Sequence, residues 1–143
     1  MTNRKALLQE MVDQLWNPQP STTFERYYTD DFRNHDPSAP AETTREELQQ
    51  AALDIAVGFP DYSVTILDMV EEGDKVAKRF VFRGTHSGPY QGIPATGRNV
   101  ESTGVCIYRF AGDKVAECWW SRDVLTMLQQ MGVVPALDAP SMA

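Results

Sequence analysis

The chain has 143 residues, of which 42% are hydrophobic and 23% charged, a length and composition that fit one domain with one hydrophobic core. Its net charge of -7 argues against a nucleic-acid-binding protein, which usually carries a basic face, and against docking on an anionic membrane. No apolar stretch approaches the roughly 20 residues of a membrane span and no N-terminal signal is visible, so we expect a cytoplasmic protein.

The first part of the chain is predicted to be helical. Apolar residues three and four positions apart predict an amphipathic helix from Arg4 to Trp16, and a short second helix is expected within Thr23 to Tyr28. The segment from Asp31 to Pro37 is predicted to be extended, because a proline disfavours the helical conformation in the residue before it.

A third helix is marked by its start and its end. Thr44 followed three residues later by Glu47 is a capping-box pattern, in which each side chain accepts a hydrogen bond from the backbone of the other residue. The helix that begins there is predicted to end at Gly58 and Pro60.

The hydrophobic period then changes from helical to two, which predicts antiparallel strands. The predicted strands are Tyr62 to Val70, Lys75 to Thr85, Val100 to Phe110 and Lys114 to Arg122. Ser87 to Gly97 holds three glycines and two prolines, so it is interpreted as a loop at the rim of a cavity. A last helix is predicted from Val124 to Met131, with Gly132 as its stop.

Helices followed by a run of strands indicate an α+β fold, in which the helices pack on one face of a curved antiparallel sheet. Such a sheet can wrap into a cone with a single interior cavity for a small apolar molecule. We expect one domain over residues 1–134 and a flexible tail over residues 135–143. The two cysteines and two histidines show no metal-binding spacing, so no metal is expected.

The last predicted hairpin carries the most informative pattern. Glu117, Trp119 and Asp123 share one parity of the final strand, and carboxylates beside a tryptophan indicate a lined pocket on that face. A three-residue turn at Ala111–Asp113 would place Glu101 opposite Asp123, and two close carboxylates raise the pKa of one of them.

The same register would place the two cysteines opposite each other as free thiols. The even-numbered residues then face away from the cavity, where they would suit a dimer contact. They are Cys106, Tyr108, Cys118 and Trp120, with Arg122 also outside.

Four segments, in this order, make the chain resemble the SnoaL-like polyketide cyclase family, whose cone-shaped fold is shared with nuclear transport factor two and ketosteroid isomerase. They are Asn34-His35-Asp36-Pro37, then Phe59-Pro60-Asp61, then Gly84 to Gly88 running on to Pro94-Ala95-Thr96-Gly97-Arg98, and finally Glu117-Cys118-Trp119 followed by Asp123 and Leu128 to Gly132.

The resemblance implies a cyclase that closes the ring of a polyketide by intramolecular aldol chemistry, without metal or cofactor. The family's acid/base aspartate maps onto Asp123, and His35 and His86 lie within family motifs as further catalytic candidates. The resemblance also implies a homodimer through the outer sheet face. The residues expected to contact substrate are Trp119, Phe82, Asn34, Phe59, Tyr90, Glu117 and Glu101.

Several alternatives remain open at this stage. Asp123 could serve only as the N-cap of the last helix, and either histidine could be structural. The same cavity could support a double-bond isomerase or an epoxide hydrolase. Hydrolysis of an epoxide in related cones calls for an Asp-Arg-Asp set, and no arginine is predicted on the face of Asp123. A non-catalytic module for ligand binding or dimerisation would need the same fold.

Overall fold

The computed structural model describes residues 3–39 and 41–135, which form three α-helices and five strands. In chain order these are α1 (Arg4–Leu15), β1 (Tyr28–His35), α2 (Arg45–Gly58), β2 (Ser63–Glu72), β3 (Lys75–Thr85), β4 (Asn99–Ala111), β5 (Lys114–Arg122) and α3 (Val124–Gln130), with a short 3-10 helix at Phe24–Arg26. The predicted elements are confirmed to within a few residues, and the extended piece is a full strand, β1. The predicted flexible tail, beyond Pro135, lies outside the described residues.

The helices begin where local chemistry predicts. Asn3 caps α1 by accepting a hydrogen bond from the backbone N–H of Ala6 at 3.0 Å. The capping box of α2 is present, since Thr44 Oγ1 accepts from Glu47 N and Glu47 Oε1 accepts from Thr44 N, both at 3.2 Å. Asp123 caps α3.

The five strands form one curved sheet in the order β1-β5-β4-β3-β2, which agrees with the α+β cone. The strands from β2 to β5 are antiparallel neighbours, whereas β1 runs parallel to β5. The expectation of a purely antiparallel sheet is therefore wrong at this edge. Parallel neighbours need a crossover connection, and here α2 and the three strands before β5 provide it.

The inner face of the sheet carries the even-numbered residues of β4 and, from Cys118 onward, those of β5, which pack against the helices. Cys106, Tyr108 and Cys118 are fully buried in the larger hydrophobic cluster together with residues of α1 and α2. This reverses the predicted orientation of the last hairpin, so these residues cannot form a dimer contact. Both cysteines are free thiols, as expected.

The register of the last hairpin also differs from the prediction. A two-residue turn, Gly112-Asp113, joins the paired residues Ala111 and Lys114, and Gly112 adopts a φ of +62°. Ala116 is then an extra residue on β5, since Arg109 pairs with Glu117 while Phe110 pairs with Val115.

The shorter turn and this bulge shift the remaining pairs by two residues. Cys106 therefore lies opposite Trp120 rather than Cys118. The backbone N–H of Asp123 bonds the carbonyl of Thr103, so Asp123 does not face Glu101.

Gly104 on β4 makes room for an aromatic ring on the inner face. A Cβ atom at this position would lie 2.6 Å from Cζ of Phe80 on the neighbouring strand. The ring of Phe80 packs edge-on against Trp120, with centroids 5.6 Å apart. The missing side chain thus allows two large aromatic residues to line the interior of the cone.

Candidate functional site

A cavity of about 490 Å³ opens between the inner face of the sheet, α2 and α3, within the size range of small-molecule sites. Its wall is mainly apolar and aromatic. These apolar lining residues include Leu48, Ile55, Phe59, Phe80, Phe82, Tyr90, Trp120 and Met127. The polar side chains that line it include Asn34, Asp36, Tyr62, Lys78, Ser102, Arg122 and Asp123.

Asp123 lines this cavity and is exposed to solvent, at the junction of β5 and α3. Its carboxylate accepts hydrogen bonds from Thr126 Oγ1 at 2.6 Å and from Thr126 N at 3.1 Å, so it is also the helix cap. These bonds hold the pKa of Asp123 below its usual value. The predicted increase in this pKa is therefore wrong, and the group is an ionised carboxylate at neutral pH.

Arg122 points into the cavity, not to the outer surface as predicted. Its Nε donates to Asp36 Oδ2 at 3.0 Å, and its Nη2 donates to Ser38 Oγ at 3.0 Å. Arg122, Asp36 and Asp123 all line the same cavity. One arginine, Arg122, therefore shares the cavity wall with two aspartates, Asp36 and Asp123. The predicted parity of β5 had excluded this arrangement, because it placed Arg122 on the outer face.

Lys78 on β3 is the most deeply buried charged side chain of the cavity wall, with 1% of its surface exposed. Its Nζ lies 4.7 Å from the ring centroid of Phe80, 5.1 Å from that of Tyr108 and 5.2 Å from that of Trp120. Burial lowers the pKa of this amine from 10.5 to about 8.

The phenol of Tyr62 is a second buried polar group of the wall. Its hydroxyl makes no hydrogen bond to any described residue, and burial raises its pKa. The ring stacks on Phe82 with centroids 5.3 Å apart, which fixes its orientation. A rigid phenol with an unused O–H can donate a hydrogen bond to an oxygen of a ligand.

The loop between β3 and β4 contributes Tyr90 and Ile93 to the cavity wall. The backbone N–H groups of Ser87 and Gly88 both donate to the carbonyl of Gly58, at 3.2 and 3.1 Å. A Cβ atom on Gly88 would lie 2.0 Å from the carbonyl oxygen of Val57, so only glycine permits this approach. The loop is therefore fastened to the end of α2.

The structure brings five of the predicted site residues to the cavity and leaves the others elsewhere. The five are Asn34, Phe59, Phe82, Tyr90 and Asp123. Asn34 is already engaged, because its Oδ1 accepts from Cys118 Sγ at 2.8 Å, and that sulfur accepts from Trp120 Nε1 at 3.1 Å. This chain of contacts orients the indole of the cavity wall.

Glu117 and Trp119 lie on the outer face of β5, where they form a separate cluster with His35. His35 Nε2 lies 2.6 Å from Glu117 Oε2, and its ring stacks on Trp119 with centroids 5.5 Å apart. Arg109 Nε also donates to Glu117, at 3.1 Å. The bonds from His35 and then Arg109 lower the pKa of Glu117. The prediction that Glu117 and Trp119 line the interior is wrong, because β5 presents its even-numbered residues there.

Glu101 and His86 are also outside the cavity wall. Glu101 is exposed and pairs with Arg83 Nη2 at 3.3 Å. His86 is fully buried below the β3–β4 loop, where Thr96 Oγ1 lies 2.9 Å from its Nδ1. Its Nε2 has no partner among the described residues, and its ring packs on Phe59, a residue of the cavity wall, with centroids 5.3 Å apart.

Sequence reasoning missed Lys78, Arg122 and Tyr62 as site residues. One signal was present for Lys78: it shares the parity of Phe80 and Phe82 in a strand that is otherwise apolar on that face. Arg122 was assigned to the wrong face with the rest of β5. Among the described residues, no group of three or more histidine, cysteine or acidic side chains is arranged to hold a metal ion. No helix in that part of the chain is long and apolar enough to cross a membrane.

Comparison with known proteins gives a consistent result. The sequence profile of the SnoaL-like polyketide cyclase family matches residues 6–131. No curated protein matches the sequence.

Solved structures resemble the chain over most of its length. IdmH from Streptomyces antibioticus, a proposed polyketide cyclase, is 29% identical, with 92% of this chain and 99% of that one covered and a TM-score of 0.81. AclR from Streptomyces galilaeus, a proposed hydroxylase, is 27% identical, with 94% and 84% covered and a TM-score of 0.84. A proposed SnoaL-like polyketide cyclase from Jannaschia sp. CCS1 is 22% identical, with 92% and 93% covered and a TM-score of 0.83, a likeness of fold alone.

Proposed function

Because the chain belongs to the SnoaL-like polyketide cyclase family, we propose that it is a cofactor-independent enzyme that closes a ring in a small, largely apolar carbonyl compound by general acid/base aldol chemistry. The observation that carries this proposal is the position of Asp123. By resemblance, the family's acid/base aspartate maps onto this residue, and it lies in the wall of a mainly apolar cavity.

Asp123 acts first as the base in this proposal. Its ionised carboxylate takes a proton from a carbon flanked by two carbonyls, which leaves an enolate. The enolate carbon then attacks a second carbonyl of the same molecule, and the protonated Asp123 returns its proton to the new alkoxide oxygen. A bound apolar ligand would displace water from the carboxylate and so raise its basicity for the first step.

The developing enolate oxygen needs a hydrogen-bond donor that is already in place. Tyr62 fits this role, because its buried hydroxyl has no partner among the described residues and it lines the same cavity. Its raised pKa keeps the phenol protonated and able to donate. His35 and His86, the earlier candidates for this task, do not line the cavity.

The test compares wild type with Asp123→Asn on aromatic 1,3-diketones that can close a ring, with thermal shift for binding and mass spectrometry for product. Asp123→Asn should bind with the same thermal shift, while ring closure falls by about 10²-fold or more because the proton carrier is gone. Tyr62→Phe is the companion variant and should lower the rate of closure without abolishing binding. Ligands that stabilise both proteins and are never converted would contradict the proposal and favour a binding module.

Hydration of an epoxide is a second candidate function, and one observation favours it. The ion pair of Arg122 with Asp36 lies in the same cavity wall as Asp123, which supplies the residue types that this reaction uses in related cones. One carboxylate would take a proton from water while the other protonates the epoxide oxygen. Adding epoxides to the same panel tests this candidate, since diol formation lost in both Asp36→Asn and Asp123→Asn would support it over ring closure.

A further inference from the structure

Lys78 presents an amine to the cavity in surroundings that do not suit a charge. The side chain is 1% exposed, and three aromatic rings lie within 5.2 Å of Nζ. Among the described residues no carboxylate acts on this amine and no side chain accepts a hydrogen bond from it; besides burial, only the thiols of Cys106 and Cys118 influence its charge. Lysines are almost never buried this completely without a partner.

Two effects act in opposite directions on the charge of this amine. The ring faces attract an ammonium ion, whereas removal from water favours the neutral amine. Burial is the larger effect, because the pKa of Lys78 falls from 10.5 to about 8 although nearby Cys106 and Cys118 act to raise it. At pH 8 roughly a hundredfold more of this amine is neutral than of a lysine with the ordinary pKa.

We propose that Lys78 is a nucleophile that forms a covalent imine with a carbonyl compound bound in the cavity. The neutral nitrogen attacks the carbonyl carbon, and a proton moves from nitrogen to oxygen to give a carbinolamine. Loss of that oxygen as water leaves the imine, and with a 1,3-diketone a proton shift gives a conjugated enaminone. The balance requires only the amine and the carbonyl compound, and releases one water.

The position of the amine favours this reaction over a purely structural role. A lysine desolvated in an apolar pocket is activated as a nucleophile. Because no acceptor among the described residues holds Nζ, the amine can meet a ligand without first breaking a hydrogen bond. The inference rests on the proposed function in one respect only, the carbonyl class of the ligand.

The three other lysines provide an internal control. Lys5, Lys75 and Lys114 are exposed, so their amines are solvated. Selective reaction at Lys78 therefore cannot be attributed to general lysine chemistry.

The experiment incubates the intact protein with 2,4-pentanedione, a small 1,3-diketone, at pH 7.5. Enaminone absorption gives the rate, and peptide mass mapping gives the site. We expect one adduct per chain at Lys78, formed at least about tenfold faster than at any exposed lysine, because the neutral fraction of its amine is larger. The adduct should be absent from Lys78→Met and Lys78→Arg and retained in Lys75→Met.

Several results would overturn the inference. Labelling spread evenly over the exposed lysines is one, and an undiminished adduct in folded Lys78→Arg is another. If either Lys78 variant fails to fold by circular dichroism, the peptide map of the wild type decides the question alone.

The Asp123→Asn variant separates this inference from the proposed function. It should still form the Lys78 adduct, since Asp123 takes no part in attack by the amine. If the adduct forms but no substrate undergoes ring closure, the proposed function is wrong and Lys78 is still a nucleophile. If the protein closes rings but never forms the adduct, the inference about Lys78 is wrong and the proposed function stands.

Discussion

At the scale of single residues, burial of the charged ammonium group of Lys78 destabilises the folded protein. Three aromatic rings surround its nitrogen, and the described residues supply no counter-charge. The folded protein binds a proton at this site less tightly than the unfolded chain does, since the pKa is about 8 when folded and 10.5 in the ordinary case. Lys78 is therefore a cost to stability at neutral pH.

The sign of the pH dependence follows from proton binding. Between about pH 8 and 10.5 the unfolded chain holds more protons at Lys78 than the folded protein does. The free energy of unfolding therefore increases as the pH rises through this range. Lys78→Met removes the charge and keeps a similar side-chain volume. Its free energy of unfolding at pH 7 should therefore be higher than that of wild type by up to about 3 kcal/mol.

Urea unfolding of both proteins from pH 7 to pH 10.5 would measure this difference. Titration of groups that do not interact with Lys78 is common to the pair and cancels. We expect the advantage of the methionine variant to narrow steadily above pH 8. A difference that stays constant over this range would show that Lys78 does not titrate at a lowered pKa in the folded protein.

At the scale of elements, α2 connects a local sequence signal to the cavity. The capping box formed by Thr44 and Glu47 sets the first turn of the helix, and Leu48 and Ile55 further along it line the cavity. The helix ends at Gly58, whose carbonyl accepts two backbone hydrogen bonds from the β3–β4 loop. One helix thus holds part of the wall and anchors the loop that completes it.

Removal of the cap should weaken this element in a measurable way. Thr44→Ala leaves the backbone N–H of Glu47 without its side-chain acceptor, and we expect a loss of about 1 kcal/mol in the free energy of unfolding. Gln49→Ala, at an exposed position of the same helix, is the control and should change stability by less than about 0.5 kcal/mol. Equal effects of the two substitutions in urea unfolding would contradict the role of the cap.

The helices and strands could be predicted because their sequence signals are local. Which residues of β5 lie on the inner face of the sheet could not be predicted in this way. Thr44 and Glu47 are three residues apart, and the box they form depends on nothing else in the fold. In contrast, β5 has a tryptophan of each parity, and Glu117 finds its partners only in the folded protein, from Arg109 on the adjacent strand and His35 on β1. Alternation alone could not say which tryptophan is inside.

Asp123 lines the cavity for a reason that differs from the predicted strand parity. It follows β5 as the cap of α3, so its side chain no longer obeys the alternation of the strand. The bulge at Ala116, which moved Glu101 away from it, has no signature in the sequence.

At the scale of the whole molecule, the outer face of the sheet retains exposed apolar side chains. Val105 and Ile107 on β4 are 43% and 39% exposed, and Ile107 pairs with Trp119 on β5. Helices cover the inner face, so this outer face is the surface open to another protein. We therefore propose a homodimer through it, in place of the contact first predicted for the even-numbered residues.

Sedimentation or size-exclusion chromatography at micromolar concentration would test the dimer. Ile107→Asp should shift the protein from dimer to monomer, because a carboxylate would be buried against an apolar partner. Leu53→Asp, an exposed apolar position on α2, is the control and should leave the dimer intact. Wild type that elutes as a monomer would rule out this interface.

The parallel pair of β1 and β5 has a consequence for the synthesis of the chain. Asn34 on β1 meets Cys118 on β5, a partner 84 residues later in sequence. While the ribosome makes the residues between them, β1 has no strand to pair with, and the buried ring of Phe32 has no finished core to enter. Contacts at such separation form late and slow folding. The nascent chain must therefore carry an unpaired, partly apolar segment until nearly the whole domain has emerged.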